Sequence, residues 1–161
     1  MRSSNTFEAS IILAIGSAQV GDLDGALAAL DRIPAAALDH PFAHGARALI
    51  LALTGDPAGA LAAAEQVASI TGSTYLDRAI TAVASAGAHG ALGDGEAARM
   101  VLANALDECL RVGDVVATAL LQTAHHHVLG MPHPSGAGDV AAMGDGWVRV
   151  VQSLPALEPA A

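Results

Sequence analysis

The amino-acid sequence predicts an all-α fold built from antiparallel helix pairs, about seven or eight helices in total. Three observations predict it. The stretch Gly21-Asp22-Leu23-Asp24-Gly25-Ala26-Leu27-Ala28-Ala29 returns as Gly55-Asp56-Pro57-Ala58-Gly59-Ala60-Leu61-Ala62-Ala63, seven of nine residues identical at an offset of 34. A period of that length is one helix–turn–helix unit of a stacked array, and such a unit must share its apolar face with neighbours. Alanine supplies 38 of the 161 residues, and the aromatic residues are only Phe7, Phe42, Tyr75 and Trp147. Alanine is the best helix former and leaves room for helices to approach closely. No run alternates apolar and polar residues with the β-branched enrichment of a strand.

Four Gly-Asp pairs punctuate the first three quarters of the chain: Gly21-Asp22, Gly55-Asp56, Gly93-Asp94 and Gly113-Asp114. Glycine ends a helix in the left-handed conformation, and aspartate caps the next one. Reading outward from these pairs predicts helices over 6–20, 22–32, 41–53, 57–71, 74–91, 95–112 and 115–129. Pro34 closes the second helix. Asp39 or His40 opens the third, with Pro41 in its first turn, where a missing N–H is tolerated. Ser73, after Gly72, caps the fifth. Periodicity is clearest over 96–112. Ala98, Val101, Leu102, Ala105, Cys109 and Val112 follow 3/4 spacing, and Asp107 with Arg111 makes an i,i+4 pair. Cys109 therefore reads as a buried apolar residue. The pattern fails after Gly130. One domain over 1–161 then divides into repeats at 6–129, a loop at 130–138, a capping helix or helices at 139–154 and a frayed tail at 155–161. Gly138-Asp139 starts the capping region, Gly144-Asp145-Gly146 interrupts it, and 147–154 forms the terminal helix.

Charge narrows the partners. Net charge is −9, the seven cations are all arginine, and there is no lysine. Sequence-independent nucleic-acid binding needs cations to neutralise phosphates, so the composition argues against it. A lone Cys109 excludes an intrachain disulfide and fits a reducing cytosol. Arg2, the apolar stretch 9–15 and Gly16-Ser17-Ala18 loosely resemble an export signal, yet Glu8 opens that stretch and the helical pattern runs through it. No apolar segment reaches the ~18 residues that span a bilayer. The expectation is a cytoplasmic protein with no membrane or nucleic-acid partner.

The repeated unit resembles a degenerate tetratricopeptide-type repeat. In that family a Gly-Asp turn separates helix A from helix B, and a small residue sits five positions after the glycine. Ala26, Ala60 and Ala98 stand there, followed four residues later by Leu30, Ala64 and Leu102. The resemblance covers about residues 6–129 and implies a right-handed array. The aromatic residues usual in helix A are missing, Pro34 comes early, and the third Gly-Asp follows the second by 38 residues. The stretch from Gly113 to Gly146-Trp147 is more distantly similar to C-terminal helical regions of large ATP-dependent transcription regulators and cyclase-linked signalling proteins. Their nucleotide-binding and DNA-binding parts are not in this sequence.

In the repeat family, helix A lines the concave face. Carried over residue by residue, that face holds Ile11 and Ile15, then Phe42, Leu49 and Leu53, then Ile80 and Val83. The resemblance implies that these seven bind a partner helix or peptide, unless a second copy or the C-terminal helix around Trp147 covers them. A rotated register makes them core instead. The positions facing helix B are smaller or more polar, with Ala82, Ser85 and His89 among them.

No constellation specifies a reaction. His125, His126, His127 and His133 are candidate metal ligands, but adjacent helical residues point about 100° apart and cannot converge. Histidines at a helix C-terminus also suit the free carbonyls there. His40 and His44 stand at i,i+4, but Pro41 leaves His40 outside the helix, and the zinc-protease glutamate is missing. Residues 65–80 superficially resemble a DNA-binding helix–turn–helix, with Arg78 as the single cation of its second helix. Gly93-Asp94-Gly95 and Gly136-Ala137-Gly138 follow no strand, so neither reads as a nucleotide loop. No catalytic residue, metal or cofactor is expected. The leading expectation is a non-enzymatic scaffold that binds a protein partner or forms a homodimer, in a regulatory or signalling role. The alternative is a ligand-binding domain in which the scarcity of large side chains leaves a cavity between alanine-rich helices.

Overall fold

The first four Gly-Asp pairs turn the chain in the same way. In the computed structural model, which describes residues 4–34 and 39–158, Gly21, Gly55, Gly93 and Gly113 have φ between 74° and 86°. The aspartate after each accepts a hydrogen bond of 2.9–3.0 Å from the amide three residues on, at Gly25, Gly59, Ala97 and Ala117. Its own N–H donates back to the carbonyl five residues earlier, at Ser17, Leu51, His89 and Cys109. One end's carbonyl and the next end's amide are thereby satisfied together.

These turns and their neighbours delimit nine helices among the described residues: α1 (Ser4–Val20), α2 (Leu23–Leu30), α3 (Pro41–Leu53), α4 (Pro57–Ser69), α5 (Tyr75–Ala91), α6 (Gly95–Val112), α7 (Val115–Leu129), α8 (Val140–Met143) and α9 (Asp145–Gln152). The fold is all-α; the described residues contain no strand, only a bridge between His133 and Gly136. Several ends differ from the sequence reading: α1 starts at Ser4, α2 ends at Leu30, α4 at Ser69 and α9 at Gln152. The cap of α5 is Thr74, not Ser73, because Asp77 three residues on completes a reciprocal capping box with it. Helix α9 starts at Asp145, and Gly146 lies within it against the Gln19 side chain of α1. His40 caps α3 through Nδ1, which accepts from the Phe42 amide at 3.3 Å.

The odd-numbered helices form a row, α1 on α3, α3 on α5 and α5 on α7. Helices α2, α4 and α6 pack against the helices that precede them and reach the next odd helix as well. Ala26, Ala60 and Ala98 are fully buried, which is what a small residue after each turn permits. On α6 the buried residues are Ala98, Leu102, Leu106 and Cys109, while Val112 is exposed. Leu106 thus replaces Val112 in the core stripe. Asp107 and Arg111 do not pair; the ion pairs among the described residues are Arg78–Glu108 and Arg99–Glu96.

Five of the seven predicted groove residues are buried, and the other two are partly so. Ile11, Ile15, Leu49, Ile80 and Val83 are at most 7 % exposed, and Phe42 and Leu53 pack partly buried against the same core. Helix α9 packs on both α1 and α7, and Arg149 Nη1 donates to the Gln19 carbonyl at 2.9 Å. The tail beyond α9, predicted to fray, is held through Leu157. Leu154 lies on Gly87, the Pro155 carbonyl on Gly90 and Leu157 on Gly95, where a Cβ on each glycine would come within 2.8 Å of the tail. The Leu157 amide donates to the Val128 carbonyl at 2.9 Å, and His127 Nε2 bonds the Leu154 carbonyl at 2.9 Å. The remainder of that predicted tail, 159–161, lies outside the described residues.

Candidate functional site

The other side of α5 is open. Helices α4 and α6 both pack on α5 but have almost no contact with each other. Between them runs a cleft of about 740 Å³, within the size range of small-molecule sites. Its floor is one face of α5: Arg78, Thr81, Ala82, Ser85 and His89, a stretch of roughly 16 Å at 1.5 Å per residue. Leu61, Ala64, Glu65 and Ala68 form the α4 wall, and Val101, Asn104, Ala105 and Glu108 the α6 wall. The space exists because alanines stand where two helices crossing a third need larger side chains to meet.

One end is fixed by a bidentate ion pair. Arg78 Nη2 reaches Glu108 Oε1 at 2.8 Å, and Nε reaches Oε2 at 3.0 Å. Nη1 donates to the Ser73 carbonyl and hydroxyl, at 2.8 and 3.0 Å, and the guanidinium lies 4.9 Å from the Tyr75 ring centre. Such a fork-to-carboxylate pair ties α5 to α6 and uses nearly all of the arginine's donors. Arg78 is therefore not the phosphate or base contact that a DNA-binding reading of 65–80 needs. Thr81 is also satisfied, through the Asp77 carbonyl at 2.7 Å.

Ser85 and His89 are not. The Ser85 residue is 7 % exposed, and its hydroxyl, which has no hydrogen-bond partner among the described residues, is open to the cleft it lines. The half-buried His89 ring likewise has no partner among them. Both groups open to the cleft, where solvent or a ligand can pair them. The sequence reading put Ala82, Ser85 and His89 on one face as small or polar positions but assigned them to helix packing. The missing information was that α4 and α6 stay apart.

The remaining candidates serve the closed side of the molecule. Nδ1 of the buried His125 donates to the Met131 carbonyl at 2.9 Å. Burial is the main cause that pulls its pKa below the ordinary 6.5; His133, Arg99 and His126 add to it, and the Met131 bond opposes it. Gln122 Nε2 donates to Ser135 Oγ, which bonds His133 Nδ1 at 2.7 Å. His126 is exposed, and His40 stands against the Phe7 ring rather than beside His44. Among the described residues, no three His, Cys, Asp or Glu side chains stand where they could hold a metal ion. Cys109 is buried, and that burial, with Asp114 and Glu108 adding to it, raises its thiol pKa. Among the described residues, no helix is long and apolar enough to cross a membrane. No family model matches the chain, and no curated protein or solved structure matches it either.

Proposed function

We propose that this protein is a non-enzymatic helical module that binds a small, largely apolar molecule in the cleft between α4, α5 and α6. One observation carries the reading: a cleft of about 740 Å³ walled by alanine, leucine and valine, with the Ser85 hydroxyl and the His89 ring on its floor, both free of protein partners among the described residues. Apolar walls with a few convergent polar groups are the usual make-up of a ligand site. The tetratricopeptide-like resemblance adds that the array evolved to hold something. It does not supply the occupant, because the face it points to is filled by core side chains. Ser85 and His89 lack the third group that orients a base, so we read a binder rather than a catalyst. A cytoplasmic location suits the lone buried thiol.

The test uses dansylamide, a neutral apolar fluorophore. Enhanced, blue-shifted emission on titration supports the reading when it is lost in Ala105→Phe, a substitution that fills the cleft from the α6 wall. Equal binding by the filled variant, or no binding by the native protein, removes it. A second reading keeps the scaffold role but moves its surface. Leu110, Val112, Val115 and Val116 are all exposed at the α6–α7 corner, where Leu110 and Val115 share a shallow depression. Paired apolar-to-polar changes there test it: Leu110→Gln with Val115→Gln turns an associating protein into a monomer, with mass measured by light scattering.

A further inference from the structure

The charges around the cleft narrow its ligand further. Seven side chains lining it offer lone pairs: Glu65, Ser73, Thr81, Ser85, His89, Asn104 and Glu108. The sole cation among the lining residues is Arg78, and its guanidinium is already committed to Glu108 and Ser73. Of its five N–H donors, four are used by these bonds. To pair with Arg78, an anion entering the cleft would have to break that bidentate pair and would still face the Glu65 carboxylate. A cation meets the opposite situation. An ammonium has donors but no acceptors; Ser85, His89 and Asn104 can accept from it, although they can also donate, and the Glu65 carboxylate is the group that favours a cation by charge. The apolar walls at Leu61, Ala64, Val101 and Ala105 leave room for a hydrocarbon or aryl body beside it.

We infer that the cleft selects an organic amine: an apolar body carrying a protonated nitrogen, held by Ser85 and the Glu65 carboxylate. This rests on the ligand-binding reading above. The body supplies affinity through buried area, and the ammonium supplies selection, since the Glu65 carboxylate attracts a cation and repels an anion. Glu65 is exposed at the rim, so its effect is weaker than that of a fully buried charge.

Three dansyl probes that share one ring system separate the two levels of this argument. Dansylcadaverine carries an ammonium, dansylglycine a carboxylate, and dansylamide neither. The expected result is that dansylcadaverine binds at least about tenfold tighter than dansylglycine at low salt. Glu65→Gln brings that ratio close to one and leaves dansylamide unchanged, while Ser85→Ala weakens dansylcadaverine. The amine assignment is overturned if dansylglycine binds as tightly as dansylcadaverine, or if Glu65→Gln leaves the ratio where it was. Binding of dansylamide alone keeps the cleft as a ligand site and removes the amine. Failure of all three probes removes the ligand site itself. Glu65 is on the helix surface, so its variant is expected to melt at the native temperature, which circular dichroism checks.

Discussion

The two sides of α5 use small residues for opposite ends. On one side, Gly87 and Gly90 let the C-terminal tail come so close that no Cβ would fit. On the other, Ala82 and Ser85 face a cleft whose walls do not meet. Polar groups follow the same division. On the closed side His127 bonds a carbonyl of the tail and His125 a carbonyl of the loop after α7. On the open side Ser85 and His89 have no partner among the described residues. A small residue is therefore evidence of close approach only where another segment arrives. Where none does, it is evidence of space.

The largest effect expected from this division is at Leu49. It is fully buried at the interior of the row of odd helices. Leu49→Asp places an unpaired carboxylate there, a change that costs about 4 kcal/mol or more. Loss of helicity by circular dichroism at 25 °C is the expected outcome. A folded variant would return the seven residues to the role of a groove. A sharper version compares two alanines on α6. Ala98 is fully buried and Ala105 borders the cleft. Ala98→Phe overpacks the core and is expected to cost about 3 kcal/mol, whereas Ala105→Phe enters open space and costs within about 0.5 kcal/mol. Equal losses in urea unfolding would mean the cleft collapses in solution.

The helices were legible because their ends carry chemistry. A Gly-Asp pair needs only its own turn to work, so four of them placed seven helices within a few residues. The repeat at 34 residues likewise reported a local unit. The site was not legible, for a physical reason. On α6 the apolar stripe from Ala98 to Cys109 covers both the core face and the cleft wall, and the sequence pattern treats Leu102 and Ala105 alike. Only tertiary packing separates them. The tail was misread in the same way: Pro155 and Leu157 look like a fraying end until Gly90 and Gly95, far earlier in the chain, are seen to receive them.

Glycines test that last point with a smaller effect. Gly16 lies within α1 and nothing is within 4 Å of a Cβ built on it, while at Gly90 the nearest atom is the Pro155 carbonyl oxygen at 2.8 Å. Gly16→Ala removes chain entropy from the unfolded state and is expected to stabilise by about 0.5–1 kcal/mol. Gly90→Ala makes the same gain in principle, but the backbone of the tail must move, and the net is a loss of about 1–2 kcal/mol. Opposite shifts in melting temperature are expected. Two stabilisations would show that the tail is not seated on α5.

The smallest effect is a slope. Inside the fold, burial holds His125 neutral and its pKa below 6.5, so the unfolded chain binds the proton more readily. The stability this gives is fully present above about pH 6.5 and is lost as pH falls from there through the lowered folded value. In His125→Asn the amide keeps a donor for the Met131 carbonyl and removes the titration. Urea midpoints at several pH values between about 7.5 and 5 should therefore fall less steeply in the variant than in the native chain. His133, Arg99 and His126 all lower the same pKa, so raising salt is expected to shrink the native slope as well. Identical slopes in the two proteins would mean that water reaches His125, and that the closed side is less closed than its hydrogen bonds imply.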